Sequence, residues 1–461
     1  MNNELIENYK KFLDSGKTER ECVKLMIQEA ESKGYKDISQ YKSLKAGDKV
    51  YITKMNKAVG FFEIGSNSIE NGMNILGAHI DSPRLDAKQN PLYEKEGITY
   101  LNTHYYGGIK KYQWTTIPLA IHGIVCKKDG TNVNIVIGEA EDDPVFCISD
   151  ILPHLAQEQM KSTASEFIKG EALDLIMGSI SSSEEKEDNE NEKKESKEKS
   201  KKIILDLLKE KYGIEEKDFE SAELEIVPAG KARDLGLDRS LILGYGHDDR
   251  SCAYASFEAM LEQKAGKKTN CCLCVDKEEI GSVGATGMAS MLFENMAAEI
   301  VALYLEGESK PYSELTLRRC LSNSAMLSSD VNSAYDPMNA NLYDKQNSSA
   351  LGGGIAFQKY TGSRGKSGAS DANPEFIAKI RKAMDEAKVK YQMAELGKVD
   401  QGGGGTIAYH AAKYGMSVLD AGIAVLSMHA PWEIISKEDL SQLYEGYKAF
   451  LKIEQEIKPS E

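Results

Sequence analysis

Long apolar runs are absent from this sequence. No stretch approaches the roughly 20 apolar residues that a membrane helix needs, and the polar segment 1–30 lacks the apolar core of a signal peptide. Positive charge is also in deficit, because 57 Lys and Arg stand against 72 Asp and Glu, a net charge of −15. Nucleic-acid binding needs clustered Lys and Arg. We therefore expect a cytoplasmic protein with no membrane and no nucleic-acid partner.

Cysteines are few, and their spacing is not that of a disulfide framework. Cys271 and Cys274 form a CxxC pair, but they lie with Cys272 in an apolar run, and no second CxxC is present. Thiols in such runs usually behave as small buried hydrophobes. A zinc knuckle or a thioredoxin-type motif is therefore not expected, and the pattern fits a reducing compartment.

Several common catalytic motifs are missing. The sequence contains no HExxH, no GxSxG nucleophile elbow and no phosphate-binding P-loop. Gly244 and Gly246 begin a segment like a dinucleotide-binding fingerprint, but Asp249 occupies the third glycine position. Its carboxylate would repel a pyrophosphate, which argues against a nicotinamide cofactor.

Strand and helix patterns alternate along the chain, and this predicts an α/β fold. Hydrophobic residues make up 41% and charged residues 28%, an ordinary globular composition. We expect a mixed, largely parallel sheet flanked by helices. Two helices are predicted at the N-terminus, the second with a capping box of Thr18 and Glu21, and a last helix begins after Ser436. The main predicted strands are 50–53, 59–64, 73–80, 241–245, 270–275, 300–305 and 417–419; further helices are predicted at 251–264 and 374–390.

The length of 461 residues predicts more than one packed unit. The simplest assembly joins residues 1–95 with 232–461 as one α/β domain and makes 96–231 an inserted, β-rich domain. Within the insertion, the tract 181–202 contains no apolar residue. Such a tract buries too little surface to offset its ordering entropy, so we expect a disordered charged loop.

Acidic and imidazole side chains follow several predicted strands. Each one alone has a structural explanation: a histidine oriented by a carboxylate, a solvated acidic pair, a turn aspartate or a core histidine. In open α/β sheets, however, ligands bind at the carboxyl ends of the strands, where these side chains would converge. They are His79, Asp81, Asp248, Glu278, Glu279, Asp330 and His429.

Together these side chains form a ligand set that suits zinc. Two histidines and three carboxylates, one of them bridging, can hold two borderline metal ions. The Glu278–Glu279 pair supplies one of these carboxylate ligands and one general base for water. Asp81 would accept the free imidazole N–H of His79 and orient its ring.

At these residues the sequence resembles the aspartyl aminopeptidase family of dinuclear zinc exopeptidases. The motifs GAHIDSPRLD, GYGHDDRS, DKEEIGS, SSDVNSAYDP and SMHAPWE occur in the family's order. The resemblance implies removal of N-terminal residues from peptides with a free N-terminus, through a water that bridges two metal ions. Zinc is the expected ion, with manganese and cobalt as alternatives. It implies that Asp248 bridges the ions, His79 and Asp330 complete one site, Glu279 and His429 complete the other, and Glu278 is the base.

The resemblance also implies an assembly. The inserted domain would mediate dimers that build a tetrahedral dodecamer, and His154 would reach a neighbouring subunit's active site. Lys359 matches a family lysine near the substrate end of the cleft. The chain departs from the family in having Asp249 after the bridging aspartate, followed by Arg250, and in the glycine tract 402–405. These departures leave open whether acidic or neutral N-terminal residues are preferred.

Two other functions are compatible with parts of this pattern. A dinuclear deacylase or carboxypeptidase could use the same ligand set on a similar sheet. A catalytically silent scaffold could assemble through the inserted domain, although no structural metal site would need Glu278.

Overall fold

The computed structural model describes residues 2–179, 198–264 and 266–454, which divide into two compact units. The first unit contains the chain up to Ser82, Lys231–Met428 and the chain from Trp432 onward; the second contains Pro83–Gly230 with His429–Pro431. The second unit therefore begins earlier than the insertion predicted from residue 96. Among the described residues, every helix is too short or too polar to cross a membrane.

The regular elements are numbered in chain order. Ten α-helices occur in the described residues: α1 (Asn3–Ser15), α2 (Glu19–Ser32), α3 (Ala164–Phe167), α4 (Lys199–Tyr212), α5 (His247–Glu262), α6 (Leu292–Gly307), α7 (Glu314–Ser322), α8 (Pro374–Ala387), α9 (Ala408–Ala412) and α10 (Lys437–Leu451). The strands are β1 (Lys36–Asp37), β2 (Lys49–Lys54), β3 (Ala58–Glu63), β4 (Met73–His79), β5 (Arg84–Lys95), β6 (Ile98–Tyr106), β7 (Leu119–Cys126), β8 (Asn132–Ile137), β9 (Leu175–Ser179), β10 (Ala222–Pro228), β11 (Arg233–Leu235), β12 (Leu241–Gly244), β13 (Thr269–Val275), β14 (Ala325–Ser328), β15 (Asn332–Ser333), β16 (Ile355–Gln358), β17 (Tyr391–Met393), β18 (Ser417–Gly422), β19 (Ala424–Leu426) and β20 (Glu433–Ser436).

The first unit is built on a nine-stranded sheet of order β1-β2-β3-β13-β4-β14-β18-β16-β17. Its central strands β13, β4, β14 and β18 are parallel to one another, while β3 and β16 run antiparallel to their neighbours β13 and β18. β4 and β13 are buried along their whole length. Burial on both faces explains their continuous apolar sequences.

Helices pack against this sheet, and α2 does so through one apolar face. In α2, Cys22, Met26 and Ala30 recur at helical spacing and are buried in one core cluster. The predicted capping box is present, since Thr18 accepts from the Glu21 backbone N–H and Glu21 accepts from the Thr18 N–H. Ser436 likewise caps α10 by accepting from the Asp439 N–H.

A smaller five-stranded sheet, of order β11-β12-β20-β19-β15, completes the first unit. The predicted strand 241–245 lies in this sheet and pairs antiparallel with β20, so it is not part of the main sheet. The predicted strand 300–305 is wrong, because these residues lie in α6. In that helix Leu292, Met296 and Ile300 are buried at spacings of four residues, and a six-residue window hides this period.

The second unit is a six-stranded antiparallel sheet of order β8-β7-β10-β5-β6-β9. β5 belongs to this sheet because it pairs with β10 on one side and β6 on the other, which explains the earlier start of the unit. The predicted charged loop is wrong at its end, since 199–202 lies in α4. There Ser200 is buried and accepts from the Thr99 hydroxyl. Residues 181–197 lie outside the described part of the chain.

Candidate metal centre

The carboxyl ends of three adjacent strands bring the predicted side chains together in the first unit. β4 lies between β13 and β14, with Val275 opposite His79 and Ser328 opposite Gly77. The loops that follow β13 and β14 therefore begin beside His79. Its Nε2 lies 3.2 Å from Asp248 Oδ1 and 3.9 Å from Glu278 Oε2.

Two groups of ligand atoms meet around His79. In each group the atoms lie within 4.8 Å of one another, the separation expected for donors to a shared ion. The first group is His79, Glu278 and Glu279, and the second is His79, Asp249 and Asp330. His79, Glu279 and Asp330 were predicted as metal ligands and Glu278 as the general base, whereas Asp249 was not predicted in either role.

Asp81 connects the strand-end histidine with the glutamate loop. Its Oδ1 lies 3.4 Å from His79 Nδ1, and its backbone carbonyl lies 3.1 Å from the same nitrogen. Its two carboxylate oxygens accept the backbone N–H groups of Glu278 and Glu279, each at 3.2 Å. Asp81 is fully buried, so this one side chain orients both His79 and the loop.

Asp248 is held through its backbone at the start of α5. Its N–H donates to Glu433 Oε2 at 3.0 Å, and its carbonyl accepts from the Ser82 hydroxyl at 2.8 Å. Its dihedral angles of φ −81° and ψ 108° are not helical. The helical hydrogen-bond pattern therefore does not set the direction of the Asp248 side chain.

Asp249 is a fully buried carboxyl group beside His79 and Asp330. Neither of its oxygens has a hydrogen bond of ordinary geometry within the described chain. Burial raises the pKa of Asp249 well above its usual range, and neither the Cys252 thiol nor the His79 backbone offsets this. Burial and the neighbouring Asp249 likewise raise the pKa of Asp330. Without a cation beside them, both carboxyl groups therefore favour the protonated, neutral form.

Neighbouring carboxyl groups also act on His79. Burial lowers the pKa of its imidazole, but hydrogen bonds to Asp248 and Asp81 and the nearby Glu278 carboxylate outweigh burial and raise that pKa well above its usual value. A divalent cation would supply the positive charge that the proton on His79 supplies otherwise.

The residues present fit a divalent metal. Buried ionised carboxylates are costly unless they are paired or coordinate a cation, and Asp249 is buried without a conventional donor. Imidazole together with several carboxylates is a donor set that zinc, manganese and cobalt accept. The arrangement can hold a divalent ion at this edge of the sheet, where Glu278, the predicted general base, also lies.

Three further predicted residues are His429, His154 and Lys359. His429 lies in the second unit, where its Nδ1 is 2.9 Å from the Gly108 carbonyl oxygen. His154 is exposed in the second unit, in the short 3₁₀ helix Pro153–Leu155. Lys359 is exposed and directly follows β16. Their roles stay predictions.

Sequence reasoning missed the residues that hold the ligands in place. Glu433 and Ser82, which fix the backbone of Asp248, are far from it along the chain. Asp249 was noted as an obstacle to pyrophosphate binding and as a departure from the resembled family, but not as a ligand. The signal that could have drawn attention to it is its position beside a predicted ligand directly after a strand.

Comparisons with known proteins agree with this geometry. The model of the family described as aminopeptidase I zinc metalloprotease (M18) matches residues 12–451. A probable M18 family aminopeptidase 1 from Clostridium acetobutylicum is 56% identical over 451 residues, covering 96% of this chain and 94% of the relative. A probable M18 family aminopeptidase 1 from Borreliella afzelii is 46% identical over 97% of this chain and 95% of the relative.

Solved structures show the same architecture. The M18 family aminopeptidase from Thermotoga maritima superposes with a TM-score of 0.91 at 42% identity, covering 98% of this chain and 97% of that one. Aminopeptidase I from Clostridium acetobutylicum superposes with a TM-score of 0.85 at 53% identity, covering 96% of this chain and 94% of that one. The Saccharomyces cerevisiae protein described as the mApe1 dodecamer superposes with a TM-score of 0.74 at 20% identity, covering 97% of this chain and 96% of that one. At this identity the similarity concerns the fold alone. The predicted fold class is confirmed.

Proposed function

Because this chain belongs to the aminopeptidase I zinc metalloprotease (M18) family, we propose that it removes N-terminal residues at the carboxyl edge of the first unit's main sheet. The predicted activity, that of a metal-dependent aminopeptidase, is confirmed by the family. The active site is placed at this edge because His79 Nε2 lies 3.2 Å from Asp248 Oδ1 and 3.9 Å from Glu278 Oε2.

Two divalent ions, zinc first and manganese or cobalt as alternatives, complete the proposed site. Asp248, His79 and Asp330 would hold one ion, and Asp248, Glu279 and His429 would hold the other. When bound, the ions supply a water of lowered pKa and polarise the scissile carbonyl. The buried carboxyl groups around His79 support this proposal, because burial disfavours their ionised form unless a cation lies beside them.

Glu278 is the proposed general base. Its backbone N–H is fixed by Asp81, which holds the residue at the edge of the ligand cluster, and its Oε2 lies 3.9 Å from His79. In the reaction Glu278 accepts a proton from the attacking water and passes it to the leaving amine. Asp81 keeps the imidazole of His79 oriented with Nε2 toward Asp248.

The substrates we propose are peptides with a free N-terminus. Lys359 follows β16 at the end of the main sheet and is exposed, so it is available to contact a substrate. A lysine there would favour an acidic N-terminal residue. The preference between acidic and neutral residues is decided by the experiment below.

We also propose that the second unit assembles copies of this chain into dimers, and these into a tetrahedral dodecamer. Exposed apolar side chains flank His154 in the sequence, and a monomer would leave them in water. The exposed fractions are 47% for Ile151, 51% for Leu152, 69% for Leu155 and 69% for Met160. In the assembly His154 would contact the substrate in a neighbouring subunit. All eight cysteines are free thiols, which supports a cytoplasmic location.

The test is hydrolysis of aminoacyl chromogenic substrates by the purified protein, before and after chelation and with zinc, manganese or cobalt restored. Metal-dependent cleavage of free-amine substrates, with N-acetylated ones resistant, is the expected result. Comparison of Asp, Glu, Leu and Ala derivatives measures the preference. Release of acetate from the N-acetylated substrates, with the chromophore still attached to the amino acid, would instead show a deacylase.

A further inference from the structure

The N-terminal helix α1 reaches the chain segment that carries Asp248. Tyr9 is fully buried on this helix, and its hydroxyl oxygen lies 2.6 Å from Nδ1 of His247, which is also fully buried. His247 directly precedes Asp248. A hydrogen bond thus joins two residues that are 238 positions apart in the chain.

Helix α1 is itself fixed to the surrounding elements. Lys10 Nζ lies 2.9 Å from Asp234 Oδ1 on β11, and Asp14 Oδ1 accepts the Ala232 backbone N–H at 2.7 Å. The Tyr9 ring packs against the Tyr254 ring of α5 with centroids 5.4 Å apart. Because both helix and ring are held, the Tyr9 hydroxyl has a defined position.

The segment that receives this hydrogen bond lacks regular backbone support. Gly246 has φ +78°, and a Cβ there would lie 2.4 Å from Arg250 Nη1 and 3.0 Å from Ser82 Oγ. Asp248 follows with non-helical dihedral angles. Side-chain contacts therefore decide the conformation: Glu433 and Ser82 bind the backbone of Asp248, and Tyr9 binds the preceding imidazole.

We propose that Tyr9 is a positioning residue, which orients Asp248 toward the metal ions through the imidazole of His247. The inference rests on the proposed role of Asp248 as bridging ligand. It makes α1 a functional part of the metal centre, although α1 supplies no ligand. Loss of the Tyr9 hydroxyl would let the segment 246–248 move and would weaken metal binding.

The test compares Tyr9→Phe with Tyr35→Phe. Tyr35 is also buried in the first unit, but its hydroxyl has no hydrogen-bond partner among the described residues. We expect Tyr9→Phe to weaken zinc affinity, measured by competition with a chromogenic chelator, by about five- to tenfold, the worth of one hydrogen bond. Its kcat should fall while KM stays constant, because Tyr9 does not contact substrate. Tyr35→Phe should change neither.

Equal zinc affinity and kcat in the two variants would overturn the proposal, even if Tyr9→Phe melted at a lower temperature. A second pair covers the case in which Tyr9→Phe does not fold. His247→Asn places an amide near the position of Nδ1 and should bind zinc more tightly than His247→Ala; equal affinities would also overturn the proposal. Asp248→Asn tests the premise separately, because wild-type binding of both ions by that variant would refute the bridging role itself.

Discussion

The carboxylate of Asp81 faces the imidazole of His79, with Oδ1 3.4 Å from Nδ1. The same carboxylate accepts the backbone N–H groups of both Glu278 and Glu279. One buried side chain therefore couples the orientation of a proposed ligand to the position of the proposed base. An ionised carboxylate can accept from the imidazole and from both backbone N–H groups, because all of its lone pairs are acceptors.

Asp81→Asn should reduce metal affinity by about 10- to 100-fold, because an amide offers only one acceptor oxygen to two backbone donors and holds His79 less well. Chelator competition measures this. Asp439→Asn is a matched control, since Asp439 also accepts two backbone N–H groups, from Gly352 and Gly354. Asp439→Asn should lower the stability of the protein but leave its zinc affinity unchanged. An equal loss of zinc affinity in both variants would argue against a specific role for Asp81.

Glu278→Gln should keep its metal but lower kcat by about 10²- to 10⁴-fold, because the amide does not accept a proton from water. Metal content by mass spectrometry and turnover of a free-amine substrate provide the two measurements. Near-normal turnover with full metal content would remove Glu278 as the general base.

Asp249→Asn should raise the melting temperature of the metal-free protein, because it removes a buried carboxyl whose pKa burial raises. The gain in melting temperature on adding zinc should then be smaller than in the wild type, because the zinc ion no longer has the Asp249 carboxylate beside it. Thermal melts with and without chelator measure both quantities. An unchanged zinc-dependent gain would show that Asp249 does not interact with the ions.

Leu155→Glu combined with Met160→Glu should dissociate the proposed assembly, because both side chains are 69% exposed in the single chain and a charge would be buried in the interface. Light scattering after size-exclusion chromatography measures the mass. Leu237→Glu, at another fully exposed leucine in the first unit, is the control. Intact assembly in the double variant would place the interface elsewhere.

Glu258→Gln should stabilise the protein above neutral pH. Burial raises the pKa of Glu258 to about 7, with the charges of Glu29 and Glu262 adding to burial and Tyr254 and Lys33 opposing it. The unfolded-state pKa is about 4.3, so the bound proton stabilises the native state fully below that value, and this contribution is lost as pH rises through about 7.

Melting temperatures of wild type and Glu258→Gln should therefore be similar near pH 5, and the variant should melt higher at pH 8. Glu386→Gln changes an exposed carboxylate on α8 and serves as the control. A difference between Glu258→Gln and wild type that does not vary with pH would contradict this explanation.

Local signals were sufficient for much of the fold. The Thr18–Glu21 capping box and the strand 73–79 were predictable because capping and continuous burial both act on neighbouring residues. The parallel order of strands then placed His79, the glutamate pair and Asp330 at one edge, since parallel strands end on the same side of a sheet. Local reasoning was less successful at Ile300, where a short apolar run fits a strand and a helix equally.

What the sequence by itself determined is the chemistry of the centre: which imidazole and carboxylate groups follow the strands, and that a second glutamate is available as a base. Only the tertiary structure decided which contacts hold those groups. Strand β5 joined the second unit through pairing with β10, Asp249 came to lie beside Asp330, and Tyr9 met His247 across 238 positions. Such contacts depend on the packing of distant elements, and no local pattern of residues encodes that packing.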